Sequence, residues 1–224
     1  MAYVVDIVLC IDGTSSMASH IERIKETAIK LLDGILLEAR TRVLQVSNLR
    51  VKIIVFRDYL TDGEYAIQMT DFSSYPEEKE SVVSLLNEIS TFSSGDGTTD
   101  GMEALAYAMQ SDWQAPCQGA RRRQIIAVWT DASCHQLGYG KSSMFYDPAL
   151  PEDFDELTDW WENEKSERCK MHAASKRLVL FAPRVAPWTT MEEEWDNVIM
   201  YPTPAGQGMR EGDCREIIHL LVGD

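Results

Sequence analysis

Basic residues are scarce in this 224-residue chain: 21 Lys and Arg stand against 36 Asp and Glu, a formal charge of -15. Nucleic-acid binding relies on Lys and Arg to displace counterions from phosphates, so the composition argues against that class. An anionic membrane surface would repel the chain for the same reason. Nor is there a run of roughly 18 apolar residues, the length that a membrane-spanning helix requires. The apolar stretch 4–11 is short, contains Asp6, and lacks a basic lead-in and a small-residue cleavage site. It does not read as a signal peptide. Cysteine is sparse as well. Cys10, Cys117, Cys134, Cys169 and Cys214 are scattered and odd in number, which suits a reducing compartment better than a disulfide framework. A cytoplasmic location, with neither nucleic acid nor membrane as partner, is the expectation.

What is present is an ordinary globular composition, 45% hydrophobic and 25% charged, enough to bury a core. Val4, Val5, Ile7, Val8, Leu9 and Ile11 form a nearly continuous β-branched run, the pattern of a central parallel strand covered on both faces. Asp12-Gly13-Thr14-Ser15-Ser16 follows as a turn, and Met17, Ile21, Ile24, Ala28, Leu31, Leu32 and Ile35 then recur at helical spacing. Further strands are predicted at 51–56, 65–69, 125–129, 178–182 and 198–201. Further helices are predicted at 77–89, 101–110, 154–172, 191–195 and 215–222. The short link from 56 to 65 predicts an antiparallel pair at one edge. Arg121-Arg122-Arg123 reads as the solvated start of the 125–129 strand. Alternating strands and helices mean an α/β, doubly wound, mainly parallel sheet with helices on both faces. A single domain over 1–224 accommodates all of it.

Three separate loops bring hard oxygen atoms. The first carries Asp12, Thr14 and Ser16 in D-x-[ST]-x-S spacing, so that alternate side chains of a tight turn face one side. The second carries Thr99 and the third Asp131, just beyond its strand. In open α/β sheets the carboxyl ends of the strands converge on one crevice. Carboxylates and hydroxyls suit Mg2+ or Mn2+, whereas zinc prefers His and Cys. D-x-[ST]-x-S alone arises by chance in about one chain in ten of this length, and Asp or Ser after a strand can simply cap the next helix. The weight rests on three loops at equivalent positions.

These segments resemble the von Willebrand factor type A (VWA) family. Asp6-Ile7-Val8-Leu9-Cys10-Ile11-Asp12-Gly13-Thr14-Ser15-Ser16 is similar to the opening strand and metal-ion-dependent adhesion motif of these domains. Gly97-Thr98-Thr99-Asp100-Gly101-Met102-Glu103-Ala104-Leu105 is similar to the G-G-T-x-T-x-x-A-L loop, with Gly101 where a second threonine often stands. Val128-Trp129-Thr130-Asp131-Ala132 is similar to the strand ending in T-D-[GA]. The resemblance implies a Rossmann-like sheet and a divalent ion, Mg2+ or Mn2+, held by Asp12, Thr14, Ser16, Thr99 and, through water, Asp131. It also implies a protein-binding module that accepts an acidic residue of its partner. Phe56-Arg57-Asp58-Tyr59 and the Asp100/Glu103 pair are closest to a cytosolic branch found near protein kinases and in bacterial gene clusters. A kinase or phosphatase encoded nearby, in signalling or stress response, is the partner class this implies. Residues 132–176 depart from compact members of the family.

Two other chemistries compete. A haloacid-dehalogenase-type, Mg2+-dependent aspartyl phosphatase also places an aspartate after its first strand, but needs a second one two positions on, where Thr14 stands. With no P-loop lysine and no Ser–His pair in matching context, catalysis is not expected. Cys134, His135, Cys169 and His172 together offer a structural zinc site, though the adjacent Cys-His pair is poor ligand geometry. Trp160 and Trp161, on one predicted helix, cannot both face the core, which predicts one exposed ring.

Overall fold

The computed structural model describes residues 2–41, 45–92, 97–115 and 120–202. The first apolar run forms β1 (Ala2–Asp12), flanked in parallel by β2 (Gln45–Phe56) and β5 (Ala120–Trp129). Beyond β5 lie β6 (Lys176–Ala182) and β7 (Val198–Pro202), also parallel. At the other edge, β3 (Ile67–Met69) and the two-residue β4 (Ser73–Ser74) pair antiparallel with β2. The order is β3-β2-β1-β5-β6-β7, with β4 off this path. The chain leaves β1 in one direction to build β2 and returns on its other side as β5, so the strand order switches at β1. That is where ligands of open α/β sheets sit.

Helices cover both faces, as expected. On one face α1 (Ile21–Thr41) and α3 (Lys79–Glu88) pack with Ile7, Leu9, Ile11, Val51 and Trp129. On the other, α4 (Gly101–Met109), α5 (Phe154–Glu162) and α6 (Trp188–Glu194) meet Val8, Cys10, Ile54, Ile126 and Leu180. Successive residues of a strand point to opposite faces, so two helical layers demand the unbroken apolar runs seen in β1 and β5. Asp6, a charged residue midway along β1, is held by two hydrogen bonds from Arg50, both at 2.9 Å. Trp129 stacks on Phe181 at 4.9 Å in the core.

Several boundaries differ from the sequence expectation. The first helix is preceded by a separate 3-10 turn, Ser15–Ser19. A short helix, α2 (Tyr59–Asp62), and a 3-10 turn, Gly63–Tyr65, fill the link before β3. The predicted 154–172 helix stops at Glu162. Asn163 ends it, accepting from the Lys165 backbone while its amide donates to Asp159. The following polar segment returns in turns, so Cys169 and His172 are not helical. Both Trp160 and Trp161 are buried, contrary to the expectation of one exposed ring. A helix has one inward face, but here the returning segment covers a second. The Arg168 guanidinium lies 5.3 Å from the Trp160 ring, while Trp161 stacks on Trp195 and donates to the Asp196 carbonyl. The predicted helix at 215–222 lies outside the described residues.

Candidate metal centre

Asp12 ends β1, fully buried, with both carboxylate oxygens engaged. The Thr14 amide and hydroxyl donate to Oδ1 at 2.9 and 2.6 Å, and the Thr130 hydroxyl donates to Oδ2 at 2.6 Å. The turn is possible because residue 13 is glycine: a β-carbon there would stand 2.7 Å from Val55 Cγ1 and 2.9 Å from the Arg57 guanidinium. The Thr14 and Ser16 hydroxyls are 3.1 Å apart, and Ser16 Oγ donates to Asp131 Oδ1 at 2.8 Å. Two hydrogen-bonded groups, Thr130–Asp12–Thr14 and Ser16–Asp131, therefore meet at the Thr14 and Ser16 oxygens across the ends of β1 and β5. Thr14, although it begins the 3-10 turn, makes no side-chain cap. Helix capping is not what its hydroxyl is used for.

Burial pushes the Asp12 carboxyl up to about 6. Hydrogen bonds from Thr130 and Thr14 oppose the rise, and the nearby Asp131 charge adds to it. At neutral pH these groups thus hold buried negative charge that a cation would relieve. An all-oxygen donor set of carboxylates and hydroxyls fits Mg2+ or Mn2+. Thr99 is fully buried on the neighbouring loop, outside both groups. Its hydroxyl lies 3.5 Å from the Ser133 carbonyl, its amide donates to the same oxygen at 3.3 Å, and its carbonyl accepts from His135 N at 2.9 Å. Four of the five expected ligands lie within these contacts; Thr99 bonds to the 133–135 segment instead.

A polar framework whose bonding the sequence motifs did not indicate surrounds these loops. Thr130, next to the expected Asp131, proves to be a direct partner of Asp12. Buried Arg57 donates to the carbonyls of Gly13, Tyr65 and Ser90 and to Gln68 Oε1, at 2.8–3.1 Å, with its guanidinium 4.0 Å from the centre of the Phe92 ring. It ties the 12–16 loop to two neighbouring segments. His135 Nε2 bonds both Asp58 Oδ2 at 3.1 Å and Thr98 Oγ1 at 3.0 Å, while Asp58 Oδ1 caps α2. Both contacts use the same ring nitrogen. A nucleophile–base–carboxylate relay uses both nitrogens, so this trio braces two loops. The hint available in the sequence was the adjacency Arg57-Asp58, polar residues directly after a buried strand.

The zinc reading fails. His135 is committed to Asp58 and Thr98. The Cys169 thiol lies against the Trp161 and Met171 carbonyls, and His172 is 3.9 Å from Glu164. Among the described residues no group of three or more His, Cys, Asp and Glu side chains is placed to hold a metal ion.

A family model described as the von Willebrand factor type A domain matches residues 6–153. No curated protein matches the chain. Similar solved structures include the pilus adhesin SpaC from Lactobacillus rhamnosus GG, at TM-score 0.59 and 11% identity, covering 97% of this chain and 31% of that one. Proximal thread matrix protein 1 from the mussel byssus is similar at TM-score 0.50 and 10% identity, covering 97% of this chain and 46% of that one. The chain thus spans less than half the length of either, and at such identity the likeness concerns the fold. No helix among the described residues is long and apolar enough to cross a membrane. With the family match covering well over half of the sequence, the chain belongs to the von Willebrand factor type A family, whose domains generally serve as protein-binding modules.

Proposed function

We propose that this domain binds a protein partner through a divalent cation, Mg2+ or Mn2+, held by Asp12, Thr14, Ser16, Thr99 and Asp131. The observation that carries the reading is the convergence of the Asp12, Thr14, Ser16 and Asp131 oxygens at the switch point of the sheet, Ser16 reaching Asp131 across 115 positions. The ion supplies positive charge and a coordination position for an acidic residue of the partner. The chain's own residues do the rest. Thr14 and Thr130 orient the Asp12 carboxylate, Ser16 orients Asp131, and Arg57 holds the loop against its neighbours. With few anionic ligands, such a site retains positive charge in an otherwise acidic protein. That contrast selects a carboxylate at the ion and basic residues around it. An intracellular signalling role, with a kinase or phosphatase as partner, is the class that the Phe56-Arg57-Asp58-Tyr59 resemblance supports.

The test is a pull-down from lysate in Mg2+ against EDTA, for wild type and Asp12→Ala. The reading expects a partner retained only by wild type with Mg2+. Retention unaffected by both EDTA and the substitution would overturn it. Incubation with p-nitrophenyl phosphate and Mg2+ addresses hydrolysis. Thr14 occupies the position of a phosphatase's acid/base carboxylate and donates to Asp12 instead, so no turnover is expected. Turnover lost in Asp12→Asn would favour the phosphatase.

A further inference from the structure

Beside the metal loops lies a cleft of about 430 Å³ between residues 59–65 and 142–145. It is shallow and largely open to solvent, a surface on which a side chain can lie rather than a cavity that encloses a ligand. Tyr65 and Phe145 supply half-exposed aromatic rings, Leu60 and Met144 supply aliphatic surface, and Asp62 and Glu64 supply carboxylates. No Lys or Arg lines it. Gly63 takes φ +56, a conformation that favours glycine, and the Phe145 ring lies over this turn at ordinary contact distance.

This cleft is the centre of a larger exposed patch. Leu60, Tyr65, Phe92, Tyr139, Met144 and Phe145 are six of the nine large hydrophobic side chains exposed among the described residues. Such clustering marks interaction surface, whereas scattered exposed apolar residues need no explanation. The patch is also continuous with the metal loops. Tyr65 meets the Phe92 ring edge-on at 6.0 Å, and Phe92 N donates to the Gly13 carbonyl at 3.0 Å, next to Asp12. On the far side, Tyr139 stacks on His135 at 4.0 Å, and His135 N donates to Thr99.

We propose that the cleft is a guanidinium pocket that takes an arginine side chain of the domain's protein partner. Aromatic faces attract a cation through their quadrupole. A planar guanidinium also stacks on a ring while its fork of donors reaches carboxylates, which a compact, strongly hydrated ammonium does less well. The protein already uses this pairing next door, where Arg57 lies over Phe92. Asp62 is already engaged, accepting from Asp58 N at 3.2 Å and facing the Arg57 charge, so Glu64 is the carboxylate that a guanidinium would pair, in a chain of net charge -15. The occupant shares its partner with the metal-centred reading but does not use the metal, so the two can fail separately.

The experiment is a titration of the 15N-labelled full chain with N-acetyl-L-arginine amide, followed by backbone NMR shifts in EDTA throughout. Shifts are expected to concentrate on residues 59–65 and 142–145, with weaker shifts from the lysine amide and none there from the norleucine amide. Glu64→Gln and Phe145→Ala, both at exposed side chains, should each weaken the arginine response at least threefold. Asp12→Ala should leave it intact, and each variant's own spectrum reports its fold. The proposal is overturned if shifts fall elsewhere or are absent, if norleucine matches arginine, or if both pocket variants respond like wild type. It is also overturned if free L-arginine binds more than tenfold tighter than the amide, since the site would then serve a small molecule. Arginine binding in EDTA with no Mg2+ response in any assay would sink only the metal reading.

Discussion

Asp12 and Glu103 are both buried acids near the carboxyl ends of the sheet, yet they stand in opposite condition. Asp12 receives three hydrogen bonds over its two oxygens, and burial raises it to about 6. Glu103, on α4, accepts a single 3.2 Å bond from Gly138 N through Oε1, and its Oε2 is buried without a hydrogen-bond partner. Burial, reinforced by the charge of Asp100, pushes Glu103 up to about 8. Asp100 is intermediate. One oxygen accepts from Tyr59 N at 2.6 Å, the other is unpaired, and burial raises it to about 6. Equal burial therefore does not mean equal readiness to carry charge. Donors aimed at Asp12 oppose the effect of its burial, while Glu103, with one oxygen unpaired, is pushed further toward its neutral form.

The largest test of this contrast is stability against pH. Glu103 has its folded value above its unfolded one, so its contribution is full below about 4.5 and is lost as pH rises toward about 8. One proton corresponds to a slope of up to about 1.4 kcal/mol per pH unit across that window. Urea unfolding of wild type and Glu103→Gln between pH 5 and 9 should show the variant gaining on wild type as pH rises. Parallel profiles would mean that Glu103 is ionised without cost.

Metal binding comes next. Mg2+ or Mn2+ at 100 times its dissociation constant should stabilise by about 2.7 kcal/mol. Thermal shift should find this in wild type and Glu103→Gln but not in Asp12→Ala, and EDTA should reverse it. Because Asp12 is protonated below about 6, the response should fade in more acidic buffer. An equal response in Asp12→Ala would move the ion elsewhere.

Thr130→Val sharpens the comparison by making Asp12 resemble Glu103. It removes the 2.6 Å bond to Oδ2, at a cost of about 1–3 kcal/mol for a buried group left unsatisfied. The cost should be greater above pH 6, where Asp12 is ionised, than at pH 5. A cost independent of pH would assign Thr130 to packing alone. The smallest effect concerns binding kinetics with a recovered partner. Salt should slow association modestly, since exposed charges are screened over about 10 Å at 0.1 M, while EDTA or Thr99→Ala should weaken the complex outright. Salt abolishing affinity with EDTA inert would transfer the interface to the acidic surface.

Much of the site was legible because it follows from local rules. Asp12, Thr14 and Ser16 are alternate residues of one turn, and Asp131 directly follows a strand whose apolar run demanded burial. Their meeting needed only a parallel sheet with β1 beside β5. Thr99 was legible as a loop residue but not in its bonding, which depends on how the 133–135 segment lies against it. The Asp58–His135–Thr98 brace joins residues up to 77 positions apart, and beyond the Arg57-Asp58 adjacency the sequence carries no sign of that pairing. The Trp160-Trp161 pair misled because helical spacing describes one face, and a returning loop created another.

The sequence by itself determined the layered α/β architecture, through runs buried on both sides and the turns that end them. It also determined the oxygen-rich chemistry of the loops, because residue type and position after a strand are written locally. Only tertiary structure decided which buried acids are furnished with donors. A carboxylate's charge state depends on the groups within a few ångströms in space. For Asp12 those include Thr130, 118 residues away, and for Glu103 they leave one oxygen unpaired.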